Sequence, residues 1–206
     1  MTTSGNIETP SGKGAGDENF PVGSFLLPKA LRPHVAVYYA FARAADDIAD
    51  NPALEPQDKV DRLNALDRAI TGEDAVGDPA LAKAHAVRRS FLQTGVDLDH
   101  ARDLLSAFKQ DAVKTRYDNW DDLIDYCNRS AAPVGRFLLE LHGEDRAGFA
   151  WSDPLCNALQ VLNHLQDCAD DYDEMDRVYL PGDWMSENGV TVDDLKAAQS
   201  SSCLLY

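Results

Sequence analysis

The sequence predicts an all-α chain, a bundle of helices with its pocket between facing helices. Three observations carry that expectation. Apolar residues recur at the 3.6-residue helical period through most of the chain, no stretch alternates long enough for a strand, and nothing repeats at a fixed period. With 206 residues and 44% hydrophobic side chains, the chain can bury one sizeable core, which favours a single domain.

Residues 1–17 are rich in Ser and Gly and poor in large apolar groups, so a flexible N-terminal tail is expected there, with the folded domain running over 18–206. A first helix is predicted over 28–50, where Leu31, Val35, Tyr38, Tyr39 and Ala42 share one face and Pro33 sits in the first turn. Gly72, Gly77, Asp78 and Pro79 mark a loop. Asp99 is the expected N-cap of a helix carrying Leu104, Leu105, Ala107 and Phe108. Asp121 or Asp122 is the expected cap of the next, running through Leu123 and Tyr126 to Leu141 with a kink at Pro133 and an end near Gly143. Pro154 is expected in the first turn of a last helix, whose Leu155, Leu159, Leu162 and Leu165 lead into an acidic cluster at 167–173.

Nineteen basic against thirty-five acidic residues give a net charge of −16, which argues against nucleic acid as a partner. An anionic ligand would need a bridging cation, the role hard divalent metals with carboxylate ligands fill for diphosphates. Cys127, Cys156, Cys168 and Cys203 form no C-x-x-C pair, there is no signal-peptide pattern, and no apolar run is long enough to span a bilayer. A cytoplasmic setting with reduced thiols is expected, with any membrane contact peripheral.

Asp46 and Asp50 stand four residues apart at the end of the first helix, so their like charges share one face and call for a cation. Asp167 and Asp171 repeat the spacing at the end of a distant helix, with Asn163 one turn earlier. Taken singly, each run reads as a solvated acidic helix end. Both, however, are expected at helix C-termini, where the macrodipole opposes negative charge, and both follow strongly apolar stretches. That coincidence favours a shared metal site, with Arg43 one turn before Asp46 as the cation best placed to meet a diphosphate. A di-iron bundle would need Glu-x-x-His pairs, and none occurs.

The stretch Tyr39-Ala-Phe-Ala-Arg43-Ala-Ala-Asp46-Asp47-Ile-Ala-Asp50 resembles the first aspartate-rich motif of the squalene/phytoene synthase family. Gln160-Val-Leu-Asn163-His-Leu-Gln166-Asp167-Cys-Ala-Asp170-Asp171, followed by Arg177-Val-Tyr179-Leu-Pro181, resembles its second motif and trailing segment. The region from Asp111 through Arg116-Tyr117 and Tyr126 to Val134-Gly135 is similar to the family's centre. The resemblance covers residues 18–184 and implies an isoprenoid-synthase-type bundle with a central pocket between two aspartate-rich helices. It further implies Mg²⁺ held by Asp46, Asp50, Asn163, Asp167 and Asp171, with Gln160 in support. Arg43 would contact the substrate diphosphate and Tyr126 would lie near the leaving group or the carbocation. Arg177 and Tyr179 would contact substrate, and Phe20, Tyr39, Phe41, Val134 and Leu162 would line a tunnel for prenyl tails. For the aliphatic positions ordinary core is nearly as good a reading.

Gln166 stands where most members carry arginine, and Ala132-Pro133 replaces a glycine-containing pair. These departures, with Asn19-Phe-Pro-Val-Gly-Ser24 and Leu31-Arg-Pro-His34, resemble the hopanoid-pathway, hydroxysqualene-forming branch of the family. That branch implies conversion of presqualene diphosphate to hydroxysqualene with release of diphosphate, and association with other enzymes of the pathway. The same aspartates would serve head-to-head condensation of two farnesyl diphosphates. Family members continue with further helices beyond the Tyr179-Leu-Pro181 segment, and Ser200-Ser-Ser-Cys203-Leu-Leu-Tyr206 looks unrelated to them. A truncated chain is the expectation, and a homologue that only binds prenyl diphosphate is the alternative to an enzyme.

Overall fold

The structure is a computed structural model that describes residues 7–12, 26–74 and 78–196. Four helices form its first layer: α1 (Arg32–Ala49), α2 (Pro56–Thr71), α3 (Ala82–Thr94) and α4 (Asp99–Asp111). Their apolar faces close around Phe41, Ile48, Leu63, Leu66, Ile70, Phe91 and Leu105, all excluded from water. Tyr38 packs its ring 4.4 Å from Phe137 and 5.4 Å from Phe91, binding the later helices to the first four. Pro33 occupies the first turn of α1, and left-handed Gly72 and Gly95 end α2 and α3.

The second half comprises α5 (Trp120–Ser130), α6 (Ala132–Leu141), α7 (Phe149–Gln166), α8 (Cys168–Met175) and α9 (Gly182–Glu187). Two short parallel strands, β1 (Arg116–Tyr117) and β2 (Val178–Pro181), clip the start of α5 to the segment after α8. They are too short to alter the all-α class, and too short to show a period in sequence.

Several boundaries differ from the sequence expectation for physical reasons. Asp97, not Asp99, accepts a backbone N–H at the start of α4, from Asp99 itself. Asn119, not Asp121 or Asp122, caps α5 by accepting the Asp122 N–H. The expected kink at Pro133 is a full break: α5 ends at Ser130 and Pro133 takes the first turn of α6, where a missing N–H is harmless. Pro154 is not at a helix start. A 3₁₀ turn over Arg146–Gly148 leads into α7 at Phe149, leaving Pro154 inside the helix.

The tail expected over 1–17 is tied down in its described part. Ser11 donates to the Asp47 carboxylate through both N–H (3.2 Å) and Oγ (2.7 Å), Arg62 donates to the Ile7 carbonyl, and Lys83 pairs with Glu8. Asp47 is buried on α1, and this strap supplies hydrogen bonds to both oxygens of a carboxylate whose Oδ1 is also held by Arg43.

Candidate active site

The site is built where the ends of α1, α4 and α7 meet β2. Asp111, the last residue of α4, lies in phase with Leu104 and Phe108 and so points inward, only 6% exposed. Its carboxylate accepts hydrogen bonds from the hydroxyls of Tyr126 (2.7 Å) and Tyr179 (3.4 Å). Tyr117, Tyr126 and Tyr179 form a triangle of rings with centroids 5.3–5.5 Å apart. His164 of α7 stacks on Tyr179 at 3.5 Å, and its Nε2 meets Gln160. Burial, reinforced by the positive charge of Arg177, pushes the His164 imidazole down to about 3, so the ring is neutral.

Arg177 ties the site together. One guanidinium nitrogen donates to the Asp50 carboxylate at 2.9 Å and the other to the Asp111 carbonyl at 3.1 Å. Its own N–H reaches the Asp171 carbonyl at 3.1 Å. Burial opposes its charge, but Tyr179, Asp111 and Asp50 outweigh that and hold it protonated. Through this one residue, its side chain on Asp50 and its backbone N–H on Asp171, the first aspartate-rich run and α8 come together; Arg177 lies 127 residues from Asp50.

The carboxylates are under electrostatic pressure. Burial and the neighbouring Asp50 charge push Asp46 up to about 8, against the pull of Arg43, although 30% of its side chain still reaches solvent. Burial pushes Asp111 to about 7 despite Arg177 and the Tyr126 hydrogen bond. Burial and Asp167 push Asp171 to about 6, with Asp50 adding to the repulsion. Burial also acts to raise Asp47, but hydrogen bonds from Ser11 and Arg43 win and hold it below the usual carboxylate range.

The residues singled out in the sequence distribute unevenly. Asp46, Asp50, Asp171, Tyr126, Arg177 and Tyr179 are linked by the contacts and charges just described. Asn163 donates to Asp167 at 3.0 Å on the solvent side of α7. Arg43 bridges Asp46 (3.0 Å) and Asp47 (2.7 Å) along its own helix. Phe41, expected in a tunnel wall, is instead wholly inside the first core, and Tyr39 is half-buried on the same helix. Val134 and Leu162 are exposed, and Phe20 lies outside the described residues.

The second aspartate-rich run is not a helix C-terminus alone. Asp167 closes α7 and opens α8, which puts Asp170 and Asp171 in a first turn, where the macrodipole favours their charge. Among the described residues no three His, Cys, Asp or Glu side chains form a ready metal cage. The donors fall into two half-sets of hard oxygens instead.

Asp111 and His164 were not assigned roles from sequence. A carboxylate in phase with Leu104 and Phe108 was the available signal for Asp111. His164 lies within the second motif and reads as a helix residue near the site, not a metal ligand; its stacking on Tyr179 is invisible in sequence, because that partner comes from another element.

Fold and site together define an isoprenoid-synthase-type helical protein. The chain belongs to the squalene/phytoene synthase family, whose model matches residues 14–205. It is 46% identical to the hydroxysqualene synthase of Zymomonas mobilis over 187 residues, which is 90% of this chain and 62% of that protein. To the hydroxysqualene synthase of Rhodopseudomonas palustris it is 43% identical, over 96% of this chain and 66% of the relative. The crystal structure of squalene synthase HpnC from Alicyclobacillus acidocaldarius superposes with a TM-score of 0.73 at 36% identity, covering 89% of this chain and 68% of that one. The chain thus spans less than two thirds of the length of these curated relatives. No helix among the described residues is long and apolar enough to cross a membrane.

Proposed function

We propose that this chain carries the diphosphate-ionising site of a squalene/hopanoid-type synthase, acting on presqualene diphosphate to give hydroxysqualene. The observation that supports this best is the meeting of Asp50 and the Asp171 backbone on Arg177, directly over the buried Asp111–Tyr126–Tyr179 cluster.

Family members typically depend on a divalent metal. Mg²⁺ usually joins one or two carboxylates to substrate phosphates, so two half-sets of aspartates fit an ion that is completed by a diphosphate. Asp46 and Asp50 on one side, with Asp167, Asp171 and Asn163 on the other, would hold it. Bound there, Mg²⁺ would neutralise the diphosphate and ease its departure.

The rest falls to side chains. The Arg43 and Arg177 guanidinium groups offer positive charge to the departing anion, which takes the electron pair of the breaking C–O bond. Tyr126 keeps its proton, because burial and Asp111 raise it well above the ordinary phenol value. Its hydroxyl is committed to Asp111, so what Tyr126 would offer a carbocation is its ring, the part of an aromatic that attracts cations, while the Tyr179 ring is covered by His164. Neutral His164 adds no positive charge to that surface. In this reading water then adds to the rearranged cation and loses a proton.

The test is diphosphate release, with lipid product analysis, from purified chain given Mg²⁺ and either presqualene or farnesyl diphosphate. Presqualene diphosphate should yield hydroxysqualene, and an Asp46→Ala, Asp167→Ala double variant should fall by at least about 100-fold. Product from farnesyl diphosphate would move the reading to head-to-head condensation. Stabilisation by Mg²⁺ plus diphosphate without turnover would reduce it to binding.

A further inference from the structure

The N-terminal strap converges on one residue of α1. It is held to α2 by Arg62 on the Ile7 carbonyl and to α3 by Lys83 on Glu8. Beyond those anchors Thr9 donates its hydroxyl to the Asp47 carbonyl at 3.0 Å, and Ser11 donates its N–H to Asp47 Oδ2 and its hydroxyl to Oδ1. The last carbonyls of a helix lack partners from within it. At the end of α1 the Asn51 N–H goes to the Ile48 carbonyl, and Thr9 serves Asp47. Both the backbone and the side chain of Asp47 are thus fixed from outside the helix.

A segment that merely needed fastening could end anywhere along α1. Asp47 is a position from which fastening reaches the site. Its Oδ1 receives Arg43 Nε at 2.9 Å and Nη2 at 2.7 Å, and the same Nη2 lies 3.0 Å from the Asp46 carboxylate. Asp47 is buried, so its carboxylate cannot turn without stranding an oxygen away from water. With Ser11 on both oxygens, turning Oδ1 away from Arg43 would also break two further hydrogen bonds. An arginine side chain is rotamer-rich, and its planar fork serves a ligand best when it is held in place beforehand. Ser11 does this without charge. A cation in its place would compete with Arg43 for the same carboxylate, whereas a hydroxyl and an N–H do not.

We propose that Ser11 is a positioning residue for the diphosphate: it locks the Asp47 carboxylate, and Asp47 in turn holds the Arg43 guanidinium beside Asp46, ready for the anion. The inference rests on the reading above that Arg43 meets the diphosphate, and it is independent of which prenyl chain is turned over.

The probe is inorganic diphosphate with Mg²⁺, titrated calorimetrically into the full chain and its variants. Ser11 lies at the surface, so Ser11→Ala leaves the core intact. Affinity should fall by about 10-fold, the scale of one lost hydrogen bond to a charged group. Ser11→Thr, which keeps the hydroxyl, should restore it. The deciding comparison is made in Arg43→Lys, which keeps the positive charge but offers Asp47 no fork to hold. In that background Ser11→Ala should cost less than about 2-fold more. A full further loss there would overturn the proposal, because Ser11 would then act through the fold and not through Arg43. So would an unchanged affinity in Ser11→Ala, or a threonine that fails to rescue. Turnover separates this inference from the proposed activity. A chain whose variants are coupled in binding, yet which releases no diphosphate from presqualene diphosphate, keeps the role of Ser11 and loses the activity. Turnover with additive variants does the reverse, and an unaltered chain that binds no diphosphate overturns both.

Discussion

Asp111 and Asp46 show how the site stores repulsion. Both carboxyls bind protons far more tightly in the folded chain than the ordinary value of 3.8, at about 7 and about 8. Stability from such groups is fully present below the unfolded value and is lost as pH rises through the folded one. Metal-free protein in EDTA should therefore show a rising urea midpoint as pH is lowered from 9 to 6.5. Below that window His164, depressed to about 3, acts in the opposite sense, because the unfolded chain then takes up a proton the folded one refuses. Asp46→Asn should flatten the limb between pH 9 and 7, and a limb left unchanged would refute the assignment. At this scale the sequence was informative about carboxylates and poor about their partners. The four-residue spacings of Asp46 with Asp50 and Asp167 with Asp171 are local and visible. The Arg177–Asp50 bond joins residues 127 apart, and no local pattern announces it.

Helices were legible as helices, because a 3.6-residue period survives in the sequence wherever one face differs from the other. Which face turns inward was not. In α7 the leucines were the natural choice for a buried side, and the structure seats Asn157, Gln160 and His164 there instead. Periodicity reports contrast between faces and is silent on orientation. The contact between α6 and α7 depends on Gly135, where an added Cβ would lie 2.5 Å from both the Ser152 Oγ and the Cys156 Sγ. Pro154 interrupts the same helix in its second turn, depriving the Ala150 carbonyl of its partner. Interior proline is about 3 kcal/mol worse than alanine in a helix, while freeing the unfolded chain returns about 0.4–1 kcal/mol to the other side. Pro154→Ala should accordingly stabilise the protein by roughly 2–3 kcal/mol in urea denaturation. A loss of stability would mean that the proline fixes the seating of α7 rather than straining it.

For the whole molecule, charge is the dominant variable. With nineteen basic residues against thirty-five acidic ones, the formal charge is −16, and that excess stays uncompensated even if every basic group is engaged. Exposed pairs such as Arg102–Asp67 and Arg68–Asp74 contribute little each, so general repulsion outweighs them. Raising NaCl from 10 to 150 mM should lift the melting temperature by roughly 2–4 °C, the equivalent of about 1 kcal/mol at this size. A fall would show that ion pairs dominate instead. The Arg177 clamp has a consequence in time as well. Helices α1 to α4 form from neighbours in sequence, whereas the bond from Arg177 to Asp50 closes a loop of 127 residues, whose entropy must be met before the contact returns anything. The first layer can therefore condense without a site, and the aspartate-rich runs converge only in the closing step of folding. Any change that slows that step leaves a compact, helical and chemically silent protein.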